Sequence, residues 1–188
     1  MRMLNISLPS FDEGDSVLIV QRGDTCILSD NLHLKRLKVE AGSVVYLPVG
    51  NIYVGDVQFD VGGEVWFNNP EKNTFLWAKG RVQWRSNFFY NDGPGFIGRS
   101  AAESFMFLYL GENKIFIDKD WYGTVIAPNA EIVLGQTHNK ELYGQFYADI
   151  IVVHQYSQLE NVPFKRKQKQ LEYVFDKAFS EKMKGENL

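Results

Sequence analysis

The chain has 188 residues, of which 45% are hydrophobic and 14% are aromatic, and its formal net charge is −3. This composition is too apolar for a disordered chain, and the slightly acidic balance argues against a general nucleic-acid binder, which would carry a basic face. The single cysteine, Cys26, excludes an intrachain disulfide and a cysteine-rich metal site.

No apolar run reaches the roughly 18 residues of a transmembrane helix, so we expect no membrane span. The first residues, Met1-Arg2-Met3-Leu4, also lack the apolar core of a signal peptide. Either the protein is intracellular, or the sequence begins after a leader that has been removed. The cysteine count does not decide this, because large β-rich exported domains fold without disulfides.

Short β-forming runs follow one another from about residue 4 to residue 164, and Gly, Asn, Asp and Pro separate them. This pattern predicts an all-β fold. The runs lie at 17–20, 44–47, 57–59, 65–67, 75–77, 82–84, 105–110, 115–117, 124–126, 132–134 and 150–153.

The spacing of similar segments selects among all-β folds. Residues 38–42 and 58–62 share a strand-then-glycine layout twenty residues apart, and 123–127 aligns with 144–148 twenty-one residues apart. A period near 20 is typical of a solenoid rung, since each rung buries its apolar side only by stacking on its neighbours. We expect a single-stranded β-solenoid (parallel β-helix) of roughly seven or eight rungs. A β-sandwich or jelly roll is the alternative.

The last segment, 165–188, differs in character. Its basic start, Lys165 to Lys169, is typical of a solvated connector. Apolar residues at helical spacing then predict an α-helix over about 167–184: Leu171, Val174, Phe175, Ala178 and Phe179. We therefore expect a solenoid domain at 4–164, and a connector with a C-terminal helix at 165–188 that packs on or caps the solenoid.

Few residues have the spacing that catalysis or metal binding requires. His33, His138 and His154 are far apart, and no nucleophile elbow occurs, so we expect no metal, no cofactor and no catalytic residue. Asp118 and Asp120 lie on one side of a strand and are conceivable partners in sugar hydrolysis. Because they flank a turn, a small polysaccharide-active enzyme is the least favoured interpretation.

The aromatic residues of the middle third are the candidate ligand-binding residues: Trp66, Phe88, Phe89, Tyr90 and Trp121. An exposed aromatic row binds polysaccharide by stacking on sugar rings, whereas buried aromatics only pack the core. If Val65 and Phe67 face inward, Trp66 faces outward. Phe88, Phe89 and Tyr90 begin a predicted side loop at 87–100.

One block resembles a known family. Residues 123–130 read Gly-Thr-Val-Ile-Ala-Pro-Asn-Ala, followed by an aliphatic strand, Gly135, a Gly-x-Phe-x-Ala strand at 144–148, and Val162-Pro163-Phe164. This resembles the terminal signature of bacterial exported β-solenoid domains of the choice-of-anchor A type, which also occurs in surface proteins with fibro-slime segments. The resemblance covers roughly 8–164, and only 123–164 is specific. The insertion at 87–100 and the C-terminal helix depart from the pattern.

The resemblance implies an extracellular or cell-surface module without catalytic activity. We expect a structural or adhesive solenoid that contacts a polysaccharide, another surface protein or a second copy of itself. A carbohydrate-binding module is the alternative.

Overall fold

A computed structural model describes residues 8–67, 72–90, 99–135 and 140–166, and every strand pairing in these ranges is parallel. The stacked sheets form a β-solenoid of about six turns, so the predicted fold class is confirmed. The elements are β1 Val17–Val20, β2 Thr25–Ile27, β3 Leu32–Val39, β4 Val44–Leu47, β5 Gly50–Phe59, β6 Glu64–Phe67, β7 Thr74–Ala78, β8 Val82–Trp84, β9 Asn87–Tyr90, α1 Arg99–Ala102, β10 Phe105–Tyr109, β11 Ile115–Ile117, β12 Trp121–Tyr122, β13 Thr124–Leu134, β14 Glu141–Gly144, β15 Phe146–Val153 and β16 Gln158–Asn161.

The column has three faces. The largest sheet bends around a corner, because the first half of β5 pairs with β7 and its second half pairs with β8. Its two parts form face 1, which contains β7 and β10, and face 2, which contains β1, β8 and β11. Face 3 consists of two smaller sheets, β2-β4-β6-β9 and β12-β14-β16.

The residue spacings of 20 and 21 found in the sequence are the separations between register partners on neighbouring rungs. Lys38 pairs with Gln58, and Ala127 pairs with Ala148, so the two predicted alignments are neighbouring rungs. The number of turns is lower than the expected seven or eight because the period is not constant. Thr74 of β7 pairs with Phe105 of β10, a separation of 31 residues that includes α1. The predicted side loop at 87–100 is wrong for its first part, because residues 87–90 form β9 and pair with β6 in the ladder of face 3. Residues 91–98 lie outside the described ranges.

The core lies inside the column and contains a cluster of aromatic side chains around Trp84. Trp84 is fully buried, and its ring centroid lies 4.4 Å from that of Phe59, 4.8 Å from that of Phe88 and 5.0 Å from that of Trp121. Such aromatic contacts add stability beyond the burial of apolar area alone.

The Pro-containing block forms a corner of the stack. The β13–β15 register shifts between Ala127 and Glu131, so extra residues of β13 leave the ladder at Pro128. Proline lacks an N–H donor and suits a place where the ladder is interrupted. Ala127 is completely buried and pairs with Ala148 of the next rung, and its small side chain suits this close contact.

Beyond the last rung, the chain returns to the outside of face 1. The Phe164 ring lies 5.6 Å from that of Phe75, and the Lys165 amide donates to the Glu103 carbonyl over 2.7 Å. The predicted helix at about 167–184 lies outside the described residues. Within the described part of the chain, no helix has the length and apolar character needed to cross a membrane.

Candidate functional site

The predicted aromatic residues divide between the core and the surface. Val65 and Phe67 are buried, which turns Trp66 outward as expected. Phe89 is also partly exposed. Phe88 (2% exposed) and Trp121 (0%) are core residues and offer no surface to a ligand. Tyr90 ends β9, and its side chain lies outside the described part of the chain. The aromatic cluster therefore supplies two surface candidates, Trp66 and Phe89.

These two residues belong to a longer row, which we call the outer ladder: Ile27, Tyr46, Trp66 and Phe89. They are register partners on the outside of β2, β4, β6 and β9. The ring centroids of Tyr46 and Trp66 are 5.7 Å apart, and those of Trp66 and Phe89 are 5.1 Å apart with planes 17° from parallel. Ile27 ends the row and is 71% exposed.

The contacts between the rings of the outer ladder determine which part of each ring is accessible to a binding partner. Because Trp66 and Phe89 lie almost parallel, their facing surfaces cover each other, and their edges point to solvent. The Trp66 Nε1–H group donates to Glu64 Oε2 over 2.8 Å, which fixes the indole further. A pyranose ring stacks on an open aromatic face, whereas a row of edges suits apolar side chains of a protein or another hydrophobic surface.

A second candidate surface is a groove of about 490 Å³ on the outside of face 2, which we call the polar groove. It lies across neighbouring rungs, since Gln58 pairs with Gln83 and Gln83 pairs with Phe116. Its lining combines amide, basic and aromatic side chains: Arg36, Gln58, Arg81, Gln83, Asn113, Lys114 and Phe116, together with Asp56 and the strand residues Val57 and Val82.

Two cationic side chains of the polar groove, Arg36 and Lys114, have different partners. Arg36 Nη2 donates to Gln58 Oε1 over 2.5 Å, while its buried Nε has no hydrogen-bond partner among the described residues. Lys114 Nζ lies 2.9 Å from Glu131 Oε1. This groove was not predictable from the sequence, because alternation shows which side chains point outward but not which of them are neighbours across the stack.

The two candidate catalytic carboxylates point to different partners. Asp118 Oδ2 lies 3.4 Å from Arg85 Nε, and burial raises the pKa of its carboxyl despite the opposing charge of Arg85. Asp120 Oδ1 instead accepts the Glu141 amide over 3.0 Å. Asp30 makes the same kind of bond to the Asn51 amide, over 2.7 Å. Carboxylates at the corners thus bind one rung to the next.

The remaining titratable residues are dispersed. Within the described residues, no three His, Cys, Asp or Glu side chains lie close enough to hold a metal ion. The His33 ring stacks on Tyr53 at 4.5 Å, and His138 lies outside the described ranges. Cys26 is half-buried inside face 3, and burial raises the pKa of its thiol, which disfavours the reactive thiolate.

Comparison with protein-family models, with curated proteins and with solved structures found no match for this chain.

Proposed function

We propose that the chain is a non-catalytic structural or adhesive module that works at a bacterial cell surface. The resemblance of residues 123–164 to exported β-solenoid domains of the choice-of-anchor A type supports this proposal, and the fold is the one that the resemblance implies. The outer ladder is the observation that carries it, because it is an apolar row on a rigid surface.

The position of the outer ladder favours contact with a large partner. Its residues lie on four successive rungs, about 4.8 Å apart, so the row extends along the column and does not line a pocket. The ring stacking and the Trp66–Glu64 hydrogen bond hold the row in place before any partner arrives. A preorganised surface loses little conformational entropy on binding, which favours adhesion.

Co-sedimentation with washed bacterial envelopes and with insoluble polysaccharides tests this function. We expect envelope binding that falls at least tenfold in the double variant Trp66→Ser, Phe89→Ser. Val61→Ser, a change at an apolar residue that is 49% exposed and belongs to neither candidate surface, is the matched control and should bind like the wild type. Equal retention of all three proteins, with circular dichroism showing each folded, would remove the outer ladder from the proposal.

Carbohydrate binding is the second candidate function, and the polar groove favours it over the outer ladder. Gln58, Gln83 and Asn113 offer amide groups to sugar hydroxyls, while the guanidinium of Arg81 suits carboxylates. The rung spacing of about 4.8 Å is close to the length of one sugar unit, so an extended chain can meet one rung per residue.

Affinity electrophoresis in soluble polysaccharides tests the second candidate. We expect a polyuronate to retard the wild type more than neutral dextran does, and Arg81→Ala combined with Gln83→Ala to abolish the difference. The double ladder variant should keep it. Retardation that is the same for both polymers would exclude the polar groove, and release of reducing sugar that Asp118→Asn abolishes would instead identify an enzyme.

A further inference from the structure

The polarity of the outward side chains on face 2 changes along the column. Outward positions in β3, β5 and β8 are polar, whereas those in the first strand, β1, and in the last strand, β15, are apolar and exposed. Between them, β11 and β13 place Phe116 and Val133 at outward positions. The polar positions include Arg36, Lys38, Asp56, Gln58 and Gln83. At the first rung, Val17 is 54% and Ile19 44% exposed; at the last rung, Ile150 is 51% and Val152 37% exposed.

The inward side chains of the last rung are exposed as well. Ile151 is 42% and Val153 47% exposed, although their register partners in β13, Ile132 and Leu134, are completely buried. In the described part of the chain, β15 pairs only with β13. An apolar strand edge of this kind is a template for pairing with another strand.

The corner between faces 2 and 3 has the same length at both ends of the column. From Val20 to Thr25 and from Val153 to Gln158, the chain turns from face 2 to face 3 over the same number of residues. Each corner contains the same turn, in which the Asp24 amide donates to the Gln21 carbonyl and the Ser157 amide to the His154 carbonyl, over 2.9 and 3.4 Å.

The backbone conformation of these corners also matches. Gly23 has φ 87°, and Tyr156, at the equivalent place in the last rung, has φ 65°. A bulky residue rarely adopts this left-handed conformation, which is strained without a glycine. The last corner therefore has the same backbone conformation as the first, although this conformation is unfavourable for a tyrosine.

From these matching ends we infer that copies of this chain stack head to tail, with β15 and β16 of one copy pairing in parallel with β1 and β2 of the next. Val17 then lies against Ile150 and Thr25 against Gln158, and the equal corners let both pairs form at once. Because this interface joins two different surfaces and does not close, repeated stacking produces a filament.

Charge and hydrogen bonding agree with this register. At the corners, Arg22 meets Gln155 and Asp24 meets Ser157, so no like charges face each other. Within the column, the Gly23 amide donates to the Gly42 carbonyl over 3.0 Å. The Tyr156 amide would make the same bond to the Gly23 carbonyl of the next copy, which continues the corner ladder.

The contact is small, so we expect weak association that depends on concentration. Residues 17–28 and 150–161 supply twelve residues a side, fewer than the roughly 20–30 of a standard stable interface. Sedimentation velocity of the full chain over a wide concentration series is the test. The weight-average mass of the wild type should rise to at least twice that of the monomer.

Two lysine variants identify the surfaces. Ile19→Lys blocks the first rung and Val152→Lys the last, both at exposed outward positions. Val61→Lys, at an exposed residue between β5 and β6 in the middle of the column, is the control. Each edge variant should stay monomeric alone, and an equimolar mixture should form dimers but nothing larger. Val61→Lys should associate like the wild type.

Other occupants of the ends give other results. If residues 167–188 cap the column, the wild type stays monomeric at every concentration, which overturns the inference. If two last rungs pair with each other, Ile19→Lys still dimerises, which also overturns it. Association of the wild type with no dimer in the mixture would refute the head-to-tail arrangement.

Discussion

Gly144 provides the sharpest test of how closely the rungs pack. It lies at the corner between faces 3 and 1 and has φ 149°, and a Cβ added there would be 1.9 Å from the Gly123 carbonyl oxygen. Gly62 has φ 84°, but its added Cβ would lie 3.8 Å from the nearest atom, an ordinary contact. Comparing Gly144→Ala with Gly62→Ala therefore separates backbone strain from the collision between rungs.

The expected magnitudes follow from these distances. Left-handed backbone costs an alanine about 1–2 kcal/mol at Gly62, and the φ of 149° at Gly144, which an L-residue rarely adopts, costs a similar amount, about 1–3 kcal/mol. At Gly144 the two backbones must also separate by about 1.5 Å, the difference between 1.9 Å and the 3.4 Å at which ordinary contact begins. That movement breaks the bonds from the Gly123 amide to the Tyr143 carbonyl (2.9 Å) and from the Val125 amide to the Gln145 carbonyl (2.8 Å). Two backbone hydrogen bonds contribute about 2 kcal/mol, so we expect a loss of about 3–4 kcal/mol.

Urea denaturation followed by tryptophan fluorescence measures both free energies of unfolding. Gly62→Ala should lose about 1–2 kcal/mol and Gly144→Ala about twice as much, within the 5–15 kcal/mol that a typical domain has available. Equal losses in the two variants would show that the rungs yield freely at this corner, and the argument from close approach would then be wrong.

The other predictions concern the core and the titration of Asp118. Trp84→Ala should lower the free energy of unfolding by about 3–5 kcal/mol, because it empties the centre of the aromatic cluster. Trp66→Ala at the surface should cost far less in the same denaturation assay. Similar losses in the two variants would contradict the burial of Trp84 and the exposure of Trp66. Burial raises the pKa of Asp118 above its ordinary value of 3.8, so the folded state holds this proton more tightly and loses stability as pH rises through the folded-state pKa. Asp118→Asn should therefore be more stable relative to the wild type near pH 7 than near pH 3, as measured by urea midpoints; a difference that does not change with pH would contradict this assignment.

The solenoid was predictable because its signals are local. Alternating apolar residues define many of the strands, and glycines recur at several corners, so Gly123 and Gly144 could be aligned from the sequence alone. In the structure they are in direct backbone contact, since an added Cβ at one would meet the carbonyl oxygen of the other. The close approach of neighbouring rungs therefore explains both the spacing between Gly123 and Gly144 and the need for glycine at these positions.

The aromatic site was only partly predictable because it depends on the register between strands. Phe88 and Phe89 are adjacent, and pairing with Val65 and Trp66 of β6 turns the first inward and the second outward. Tyr46 and Ile27 complete the outer ladder only through the same register, and neither stands out in the sequence.

Local alternation fails where a third element covers the sheet. Trp121 and Tyr122 are both buried although they are consecutive in β12, and α1 contacts this strand. On face 1, Trp77 and Leu108 point outward but are buried, in a cluster that includes Phe11 and Phe164. Segments far apart in the sequence form these contacts, and periodicity within a strand carries no information about them.

The outer ladder and the matching ends of the column reinforce each other. About six turns at about 4.8 Å make a column of roughly 30 Å, so head-to-tail stacking would repeat the outer ladder at that interval along one filament. Each ladder alone offers a few apolar side chains, and a single such contact is weak. A filament that presents many copies to one envelope makes every later contact intramolecular, and avidity then exceeds the affinity of one ladder without any new contact. Binding to envelopes should therefore weaken in Val152→Lys, although this variant leaves the outer ladder intact.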